Sequence, residues 1–465
     1  MNAILRLLVV FFILSSRVMA MEHPPRPNVI IIFTDDQGYE DLGCFGSPLI
    51  KTPHLDLMAE EGRKFTSFYS ANSVCSPSRA ALMTGCYPTR VSVPGVLFPR
   101  HSVGLNPEEV TIAEMLKEQG YATACIGKWH IGHKKPFLPT NQGFDSYYGI
   151  PYSNDMTIDP KATLAADALF REGMTRELVA TSKPKKNAVP LMRDDQVIEY
   201  PADQTTLTKR YTEEAVQFIR KNRTKPFFLY LPHTMPHIPL FSSDGFAGKS
   251  ARGAYGDTIE EIDWSVGQIL TTLKEAEVDK NTLVVFTSDN GPWKLDRGRG
   301  GSAYPLRGFK FSTYEGGMRV PCIMRWPGTI PAGTVCTEIA ATIDLMPTLA
   351  SICGGSLPAG RRIDGKNIWP LMAGETGAKT PHEAYFFYKG QRLESIRSGP
   401  WKMRLRPRNR KKHQTAGAEL YNLENDIRET TNLAGERPVV VKKLKAVMEA
   451  FDRELKTNAR PAGSL

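Results

Sequence analysis

The sequence predicts an α/β fold with a mostly parallel central sheet and a small antiparallel sheet towards the C-terminus. Two observations support this prediction. Several short runs are continuously apolar and rich in β-branched residues, which is typical of strands buried on both faces. Segments with helical spacing of apolar residues precede these runs, and such alternation indicates a parallel sheet covered by helices.

Four of the predicted strands end abruptly in polar residues. In open parallel sheets, ligands bind at the carboxyl ends of the strands. We therefore expect the polar residues that follow these strands to share one site. The four strands are predicted at residues 28–33, 121–126, 227–231 and 283–287.

Helices are predicted before two of these strands. One begins at Asn106, where a cap residue, a proline and a capping-box glutamate follow one another, and it ends at Gly120. Another spans Thr258 to Ala276 and carries apolar residues at helical spacing. Further along, short apolar segments between residues 384 and 423 predict strands, and residues 438–455 predict one more helix.

The segment from Val74 to Gly85 is the most informative part of the chain. Pro77 suits the first position of a short helix, and Gly85 suits its end. If this helix forms, Cys75 lies at the positive end of its dipole and Arg79 projects towards that end. Such a place binds a tetrahedral oxyanion, although a lone cysteine is more often a small buried apolar residue.

This segment resembles the sulfatase signature, C-x-P-S-R-x-x-L-x-T-G, at all seven of its fixed positions. The resemblance implies that Cys75 is oxidised to formylglycine by a formylglycine-generating enzyme, and that the hydrated aldehyde is the nucleophile. It also implies an alkaline-phosphatase-like α/β/α sandwich. Within the family, the chain is most similar to the group of arylsulfatase A and N-acetylgalactosamine-6-sulfatase.

Two acidic pairs follow predicted strands, Asp35 with Asp36 and Asp289 with Asn290. They offer only oxygen ligands, which suit hard cations such as Ca²⁺ or Mg²⁺ better than zinc. One such pair is more often a helix cap or a turn, but a second pair after a second strand favours a metal site. The resemblance implies one divalent cation, for which we expect Ca²⁺, with Mg²⁺ as the alternative.

Further candidate residues lie after the other strands and in two loops. Lys128 and His130 are separated by a single residue, so in an extended segment their side chains would face the same way. We prefer His237 to His233, because the latter falls where the family group needs no histidine. Ser153 also has a plainer interpretation as an ordinary turn serine. The catalytic residues that the resemblance implies are Cys75, Arg79, Lys128, His130, Ser153, His237 and Lys310.

The resemblance implies a sulfuric ester hydrolase of the arylsulfatase type that cleaves sulfate monoesters of sulfated sugars or polysaccharides. It implies a covalent sulfo-enzyme intermediate on residue 75. In this scheme His237 or Lys310 assists the departing alcohol, and His130 takes a proton in the second step. Two alternatives stay open, a phosphatase or phosphodiesterase of the alkaline phosphatase superfamily and a non-catalytic protein that binds sulfated glycans.

Residues 1–20 have the features of a secretory signal peptide, with an apolar run too short to span a bilayer. We therefore expect a secreted or periplasmic protein without a stable membrane span. The remaining chain divides into a catalytic domain at 21–375 and a C-terminal α+β subdomain at 376–465. The net charge of +10 favours anionic substrates without requiring nucleic acid. Seven cysteines allow some disulfides in an exported protein, but no pairing follows from the sequence.

Overall fold

The structure, a computed structural model, describes residues 26–183, 185–295, 299–406 and 417–465. The predicted signal peptide at 1–20 lies outside the described residues. The strands are β1 Asn28–Thr34, β2 Arg63–Phe65, β3 Phe68–Tyr69, β4 Val103–Gly104, β5 Ala122–Ile126, β6 Ser146–Gly149, β7 Leu164–Phe170, β8 Leu191–Arg193, β9 Gln196–Tyr200, β10 Phe227–Pro232, β11 Thr282–Ser288, β12 Cys322–Arg325, β13 Thr334–Cys336, β14 Ala340–Ala341, β15 Tyr385–Lys389, β16 Arg392–Ser398, β17 Trp401–Arg406, β18 Gly417–Asn422 and β19 Gly463–Ser464.

Helices flank these strands along the chain. They are α1 Pro53–Glu60, α2 Cys75–Thr84, α3 Ile112–Glu118, α4 Arg176–Thr181, α5 Leu207–Asn222, α6 Ala254–Glu275, α7 Glu315–Met318, α8 Leu345–Cys353, α9 Trp369–Met372 and α10 Pro438–Thr457.

A large mixed sheet forms the centre of the fold. Its strand order within the described residues is β13-β2-β12-β11-β1-β10-β5-β6-β8-β9-β7. The five strands from β11 to β6 in this order are parallel to one another. Their carboxyl ends therefore meet along one edge of the sheet.

The alternation of side chains along β1 explains why helices cover both faces of the sheet. Ile30 and Ile32 belong to one apolar core, and Val29, Ile31 and Phe33 belong to the other. Helices α1, α5 and α6 contribute to the first core, whereas α2, α3 and α8 contribute to the second. Because successive side chains of a strand point to opposite faces, a continuously apolar strand needs cover on both sides.

A smaller antiparallel sheet lies towards the C-terminus, with the strand order β15-β16-β17-β18. It shares a third apolar core with α10, in which Met448 and Leu455 are buried. Ala81 of α2 and Met318 of α7 belong to the same core, so the small sheet packs against the main body of the protein. The predicted α/β architecture with a separate small sheet is confirmed, whereas the domain boundary at residue 375 stays a prediction.

Two local predictions about helices are wrong. The helix expected from Asn106 begins instead at Ile112, because Thr111 and Glu114 form a capping box there. The side chain of Asn106 accepts a hydrogen bond from the Glu108 amide at 3.0 Å and forms a turn. Helix α2 begins at Cys75 rather than at Pro77, which becomes its third residue.

All seven cysteines are free thiols in the structure. None of the described helices combines the length and the apolar character that crossing a bilayer requires.

Candidate active site

The residues predicted for the site lie at the carboxyl edge of the parallel strands and in two adjoining segments. One group follows β1, β11, β5, β6 and β10, while the others lie at the start of α2 and in the loop before α7. All of them are buried, with at most 3% of their surface exposed: Asp35, Asp36, Cys75, Arg79, Lys128, His130, Ser153, His237, Asp289, Asn290 and Lys310.

Cys75 is the first residue of α2. The N-cap residue Val74 makes no side-chain capping bond, so the first amides of this helix have no capping partner. Burial raises the pKa of the Cys75 thiol, even though Lys128 and Lys310 act in the opposite direction. The residue is therefore a neutral thiol, a form that is a poor nucleophile, surrounded by groups that attract anions.

Arg79 lies one turn further along α2 and is fully buried. Its Nε and Nη2 donate to Oδ2 of Asp289 at 3.2 and 3.0 Å, and Nη1 donates to the carbonyl of Lys128 at 2.7 Å. Nη2 also lies 3.4 Å from Oδ2 of Asp35. The guanidinium therefore holds together the ends of β1, β5 and β11, which a lysine of the same charge could not do.

The two acidic pairs predicted as metal ligands lie in direct contact. The amide of Asp36 donates to Oδ1 of Asp289 at 3.1 Å, and Nδ2 of Asn290 donates to Oδ1 of Asp36 at 2.7 Å. Oδ1 of Asp35 and Oδ1 of Asn290 are both buried, and neither has a hydrogen-bond partner among the residues that the structure describes. Two unpaired buried oxygens among three carboxylates are what a hard cation would satisfy, so this set fits a divalent cation.

The carboxylates of this cluster have strongly perturbed acidities. Burial alone would raise the pKa of Asp35, but the charges of Lys128, His237 and Arg79 hold it well below its usual range. Burial raises the pKa of Asp36, despite the opposing effect of Lys310. Burial and the neighbouring Asp35 charge raise the pKa of Asp289 to about 7. These pKa shifts arise because three carboxyl groups lie close together in a buried space without solvent.

Two lysines neutralise this acidic cluster. Nζ of Lys128 donates to Oδ2 of Asp35 and lies 3.3 Å from Oγ of Ser153. Nζ of Lys310 donates to Oδ2 of Asp36 at 2.7 Å. Together with Arg79, the two ammonium groups bring three cations against three carboxylates.

His237 belongs to the cluster, whereas His233 does not. Nε2 of His237 lies 3.6 Å from Oδ2 of Asp36, and its Nδ1 lies 3.0 Å from Oδ1 of Asn154. Oγ of Ser153 lies 3.3 Å from the same ring. His233 instead faces Ser265 of α6 at 3.5 Å. The structure thus places the preferred histidine beside the acids, and ligand atoms of Asp35, Asp36 and His237 lie within 4.8 Å of one another.

His130 differs from the expected orientation. Its φ angle of 64° is left-handed, so the segment after Lys128 is not extended and the two side chains have different partners. Nε2 of His130 lies 2.9 Å from the carbonyl of Leu97, which can only accept, so Nε2 carries the proton. Burial holds the pKa of His130 well below its usual range. The ring is therefore neutral, and its Nδ1 is a buried acceptor without a partner.

Three residues around the cluster were not predicted from the sequence. Asn154 orients His237, and the Trp293 ring lies 5.7 Å from that histidine and 4.7 Å from Nζ of Lys310. Gln37 is fully buried, and within the described part of the chain neither its amide oxygen nor its amide nitrogen has a hydrogen-bond partner. Each of them lies within three residues of a predicted site residue, which was the only signal available in the sequence.

A groove of about 870 Å³ adjoins the cluster. It is lined by Phe98 and Asp155, the chain neighbours of Leu97 and Asn154, which contact His130 and His237. It is also lined by Ile238, whose carbonyl lies 2.6 Å from Nδ1 of His237. The groove is also lined by Lys186 and by Arg100, whose guanidinium lies 4.5 Å from the centre of the Phe98 ring; neither residue makes an ion pair within the described part of the chain. It therefore presents apolar walls and positive charge beside the histidines.

Comparisons with known proteins cover nearly the whole chain. The profile of the family described as Sulfatase matches residues 27–355, and a profile described as the C-terminal region of N-sulphoglucosamine sulphohydrolase matches residues 309–457. The chain is 38% identical to arylsulfatase A from Homo sapiens over 462 residues, which covers 92% of this chain and 87% of that protein. It is also 38% identical to N-acetylgalactosamine-6-sulfatase from Canis lupus familiaris, covering 82% of this chain and 72% of that protein.

A solved structure gives the same result at the level of the fold. The crystal structure of Ps i-CgsB in complex with k-i-k-neocarrahexaose superposes with a TM-score of 0.80 and 30% identity. The match covers 94% of each chain, so it includes both the central sheet and the small C-terminal sheet.

Proposed function

The chain belongs to the sulfatase family, has its alkaline-phosphatase-like fold and is a sulfuric ester hydrolase, and we propose that the buried cluster described above is its active site. The observation that carries this proposal is the position of Cys75. It lies at the start of α2, where Arg79, Lys128 and Lys310 meet the carboxylates that follow β1 and β11.

The charges of the cluster fit an anionic substrate only when a cation is present. Three carboxylates face three side-chain cations, so the cluster is close to neutral by itself. A divalent cation would leave an excess of about two positive charges, which an anionic sulfate ester would offset. Asp35, Asp36, Asp289 and Asn290 would hold this cation through oxygen atoms, which suit Ca²⁺ and Mg²⁺ alike. We propose Ca²⁺, because it tolerates an irregular arrangement of ligands better than Mg²⁺ does.

When bound, the cation would polarise the sulfate oxygens as a Lewis acid. Around it, Lys128 and Lys310 would turn from the carboxylates towards the sulfate group. Arg79 would keep the ends of the strands in register, because its donors already bind Asp289 and the Lys128 carbonyl. These fixed charges favour the negative charge that grows during the reaction, since they need little reorganisation.

We propose that Cys75 matures to formylglycine and that its hydrated aldehyde supplies the nucleophile for a covalent sulfo-enzyme route. The unmodified residue is unsuited to this task, because burial keeps its thiol neutral. The partner in this maturation would be a formylglycine-generating enzyme. Nothing in the chemistry of the cluster favours the alternatives of a phosphatase or a non-catalytic glycan-binding protein.

The two histidines would act on opposite sides of the reaction. His130 has an unprotonated Nδ1 and a neutral ring, which is the state that a general base needs. His237 directly precedes Ile238 and Pro239, which line the groove, and its Nδ1 lies 3.0 Å from Oδ1 of Asn154. We infer that the alcohol leaves on this side. We propose that His237 or Lys310 stabilises the departing alcohol, and that His130 acts afterwards.

The groove supports a sulfated sugar as substrate. Apolar lining residues such as Met156 and Leu240 could contact a sugar ring. Oδ1 of Asp155, a buried acceptor with no hydrogen-bond partner among the described residues, could receive a sugar hydroxyl. Arg100 and Lys186 could bind a second anionic group on the next sugar. We therefore propose a sulfated oligosaccharide or polysaccharide as the substrate class.

Export from the cytoplasm remains part of the proposal. It rests on the apolar run and the small residues near its end within residues 1–20. We also propose that residues 376–465 form a C-terminal subdomain, because β15 to β18 form a separate sheet that packs with α10.

Mass spectrometry of the peptide containing residue 75 tests this proposal, on protein made together with a formylglycine-generating enzyme. We expect an aldehyde at residue 75 and turnover of an aryl sulfate, with weaker turnover of the matching aryl phosphate. Cys75→Ala should abolish turnover without lowering the melting temperature. Cys86→Ala, which removes a buried thiol just beyond the other end of α2, is the matched control. Full activity with an unmodified thiol would refute the maturation, and preference for the phosphate would refute the sulfatase assignment.

A further inference from the structure

Lys310 lies in a closed loop that leads into α7. The amide of Gly316 donates to the carbonyl of Arg307 at 2.7 Å and joins the two ends of the loop. A Cβ atom at Gly316 would lie only 2.5 Å from the carbonyl oxygen of Gly308, so the ends of the loop are tightly packed. Between Arg307 and Glu315 the chain has no helix or strand of its own.

The small C-terminal sheet and the segment after it form hydrogen bonds with both ends of this loop. We call this set of contacts the grip on the loop. Nη1 of Arg307 donates to the hydroxyl of Tyr421 at 3.2 Å and to the carbonyl of Glu429 at 2.6 Å. The carboxylate of Glu429 accepts a hydrogen bond from the amide of Glu315 at 2.8 Å. One residue beyond the sheet therefore contacts both the first and the last part of the loop.

Lys402 of β17 completes this grip from the interior of the protein. Its Nζ donates to Oε1 of Glu315 at 2.7 Å and lies 3.3 Å from Oε1 of Glu429. All three side chains are fully buried, and the ammonium also lies 4.4 Å from the centre of the Phe387 ring. A buried charge triad gains little net stability over apolar packing, so its geometry is the more informative property.

Thr313 is a separate contact between the loop and the small sheet. Its hydroxyl donates to Oε2 of Glu394 at 2.9 Å and accepts from Nε of Arg404 at 3.2 Å. Thr313 is fully buried and lies three residues after Lys310. The loop is thus held at its beginning, at its end and near its middle by residues beyond position 390.

We propose that Lys402 and Thr313 are positioning residues for Lys310, and that the C-terminal sheet holds the loop that brings Nζ of Lys310 to 2.7 Å from Asp36. Neither residue touches the proposed sulfate site. The inference rests on the proposed function in so far as Lys310 takes part in the reaction. It adds that the C-terminal sheet positions a catalytic side chain in addition to stabilising the fold.

A double-mutant cycle tests this proposal with an aryl sulfate as substrate. Thr313→Val removes the hydroxyl and keeps the shape of the side chain, and we expect kcat to fall about ten- to hundred-fold. In the Lys310→Ala background the same change should have no further effect, because the residue it positions is absent. The matched control is Thr212→Val in α5, a buried threonine whose hydroxyl bonds Ser265 at 2.6 Å and which should leave kcat unchanged. Equal losses in both backgrounds, or full activity of Thr313→Val, would overturn the proposal.

Hydrogen–deuterium exchange provides a readout that does not depend on catalysis. In Thr313→Val and in Lys402→Met, we expect faster exchange in the peptide covering residues 305–319 and no change in the peptide covering residues 28–37. Arg325→Met is the control, because Arg325 is also a buried cation between two carboxylates but lies on β12. If Lys402→Met does not fold, Thr313→Val decides the question alone. Inactivity of the wild-type protein on every sulfate ester would reject the proposed function, whereas unchanged exchange in the loop would reject the positioning role.

Discussion

Removal of the Lys310 ammonium should strengthen cation binding while it lowers kcat. Nζ of Lys310 lies 2.7 Å from Oδ2 of Asp36, one of the oxygens proposed to bind the cation. The ammonium therefore competes with the cation for the same carboxylate. Lys310→Met removes this competitor and keeps most of the volume of the side chain, so the Asp36 oxygen becomes available.

The size of the effect follows from Coulomb repulsion. A cation bound about 2.4 Å from the Asp36 oxygen could lie at most roughly 5 Å from the ammonium, so the repulsion at 5 Å is a lower limit. At an effective dielectric constant of about 20, a divalent and a monovalent charge at that distance repel by about 7 kcal/mol. Because the flexible ammonium moves away when the cation binds, we expect only part of this energy. A decrease in the dissociation constant of about ten- to hundred-fold corresponds to roughly 1.4 to 3 kcal/mol.

Titration calorimetry with Ca²⁺ on chelator-treated protein measures this effect. Asp36→Asn should change the affinity in the opposite direction, because it removes a ligand charge. Lys117→Met is the control for net charge, since its ammonium pairs with Asp145 at an exposed surface. Weaker Ca²⁺ binding by Lys310→Met than by the wild type would refute the view that the ammonium and the cation share Asp36. Stoichiometric zinc in the active protein would refute the choice of cation.

The remaining predictions concern the histidines, one buried acid and the groove. His130→Ala should accumulate a sulfate ester on residue 75 in mass spectra, whereas His237→Ala should lose activity mainly on esters of poorly acidic alcohols; the reverse pattern would exchange their roles. Burial raises the pKa of Glu429 from 4.5 to about 7, so its contribution to stability is complete below pH 4.5 and is lost as the pH rises through 7. Glu429→Gln should therefore raise the melting temperature at pH 8 but not at pH 5, and an equal effect at both would contradict this linkage. Replacement of both Arg100 and Lys186 by Met should raise KM for a multiply sulfated oligosaccharide at least ten-fold. KM for a small aryl sulfate should stay nearly unchanged. Equal changes for both substrates would argue against an anion subsite in the groove.

Local sequence patterns were sufficient to predict the central architecture. Strand β1 is apolar at every position from Val29 to Phe33, and only a strand covered on both faces tolerates such a run. The chain then changes abruptly to Asp35 and Asp36, which marks the carboxyl edge of the sheet. The same pattern at β11 predicted the proximity of Asp289, because the ends of neighbouring parallel strands must coincide.

The sequence predictions were wrong where two local patterns favoured different backbone conformations. Asn106 has the features of a helix start, yet the helix begins at Ile112, because Thr111 and Glu114 satisfy the first amides more completely. Likewise, the spacing of Lys128 and His130 predicted a common direction for an extended chain. The left-handed backbone conformation at His130 gives the two side chains different partners. No residue in this segment predicted that conformation.

By itself, the sequence determined which residues end the parallel strands, because periodicity is a property of the local chain. It predicted a helix after Val74 but placed the start of that helix two residues too late. Only the tertiary structure decided their partners. Arg79 joins three strand ends, and Lys402 reaches Glu315 from a position 87 residues away in the chain. Contacts of this kind depend on how separate elements pack, and burial without water then requires every charge to find a partner across the fold. For this reason the neutral thiol of Cys75 and the grip of the C-terminal sheet on the Lys310 loop could be recognised only in the folded chain.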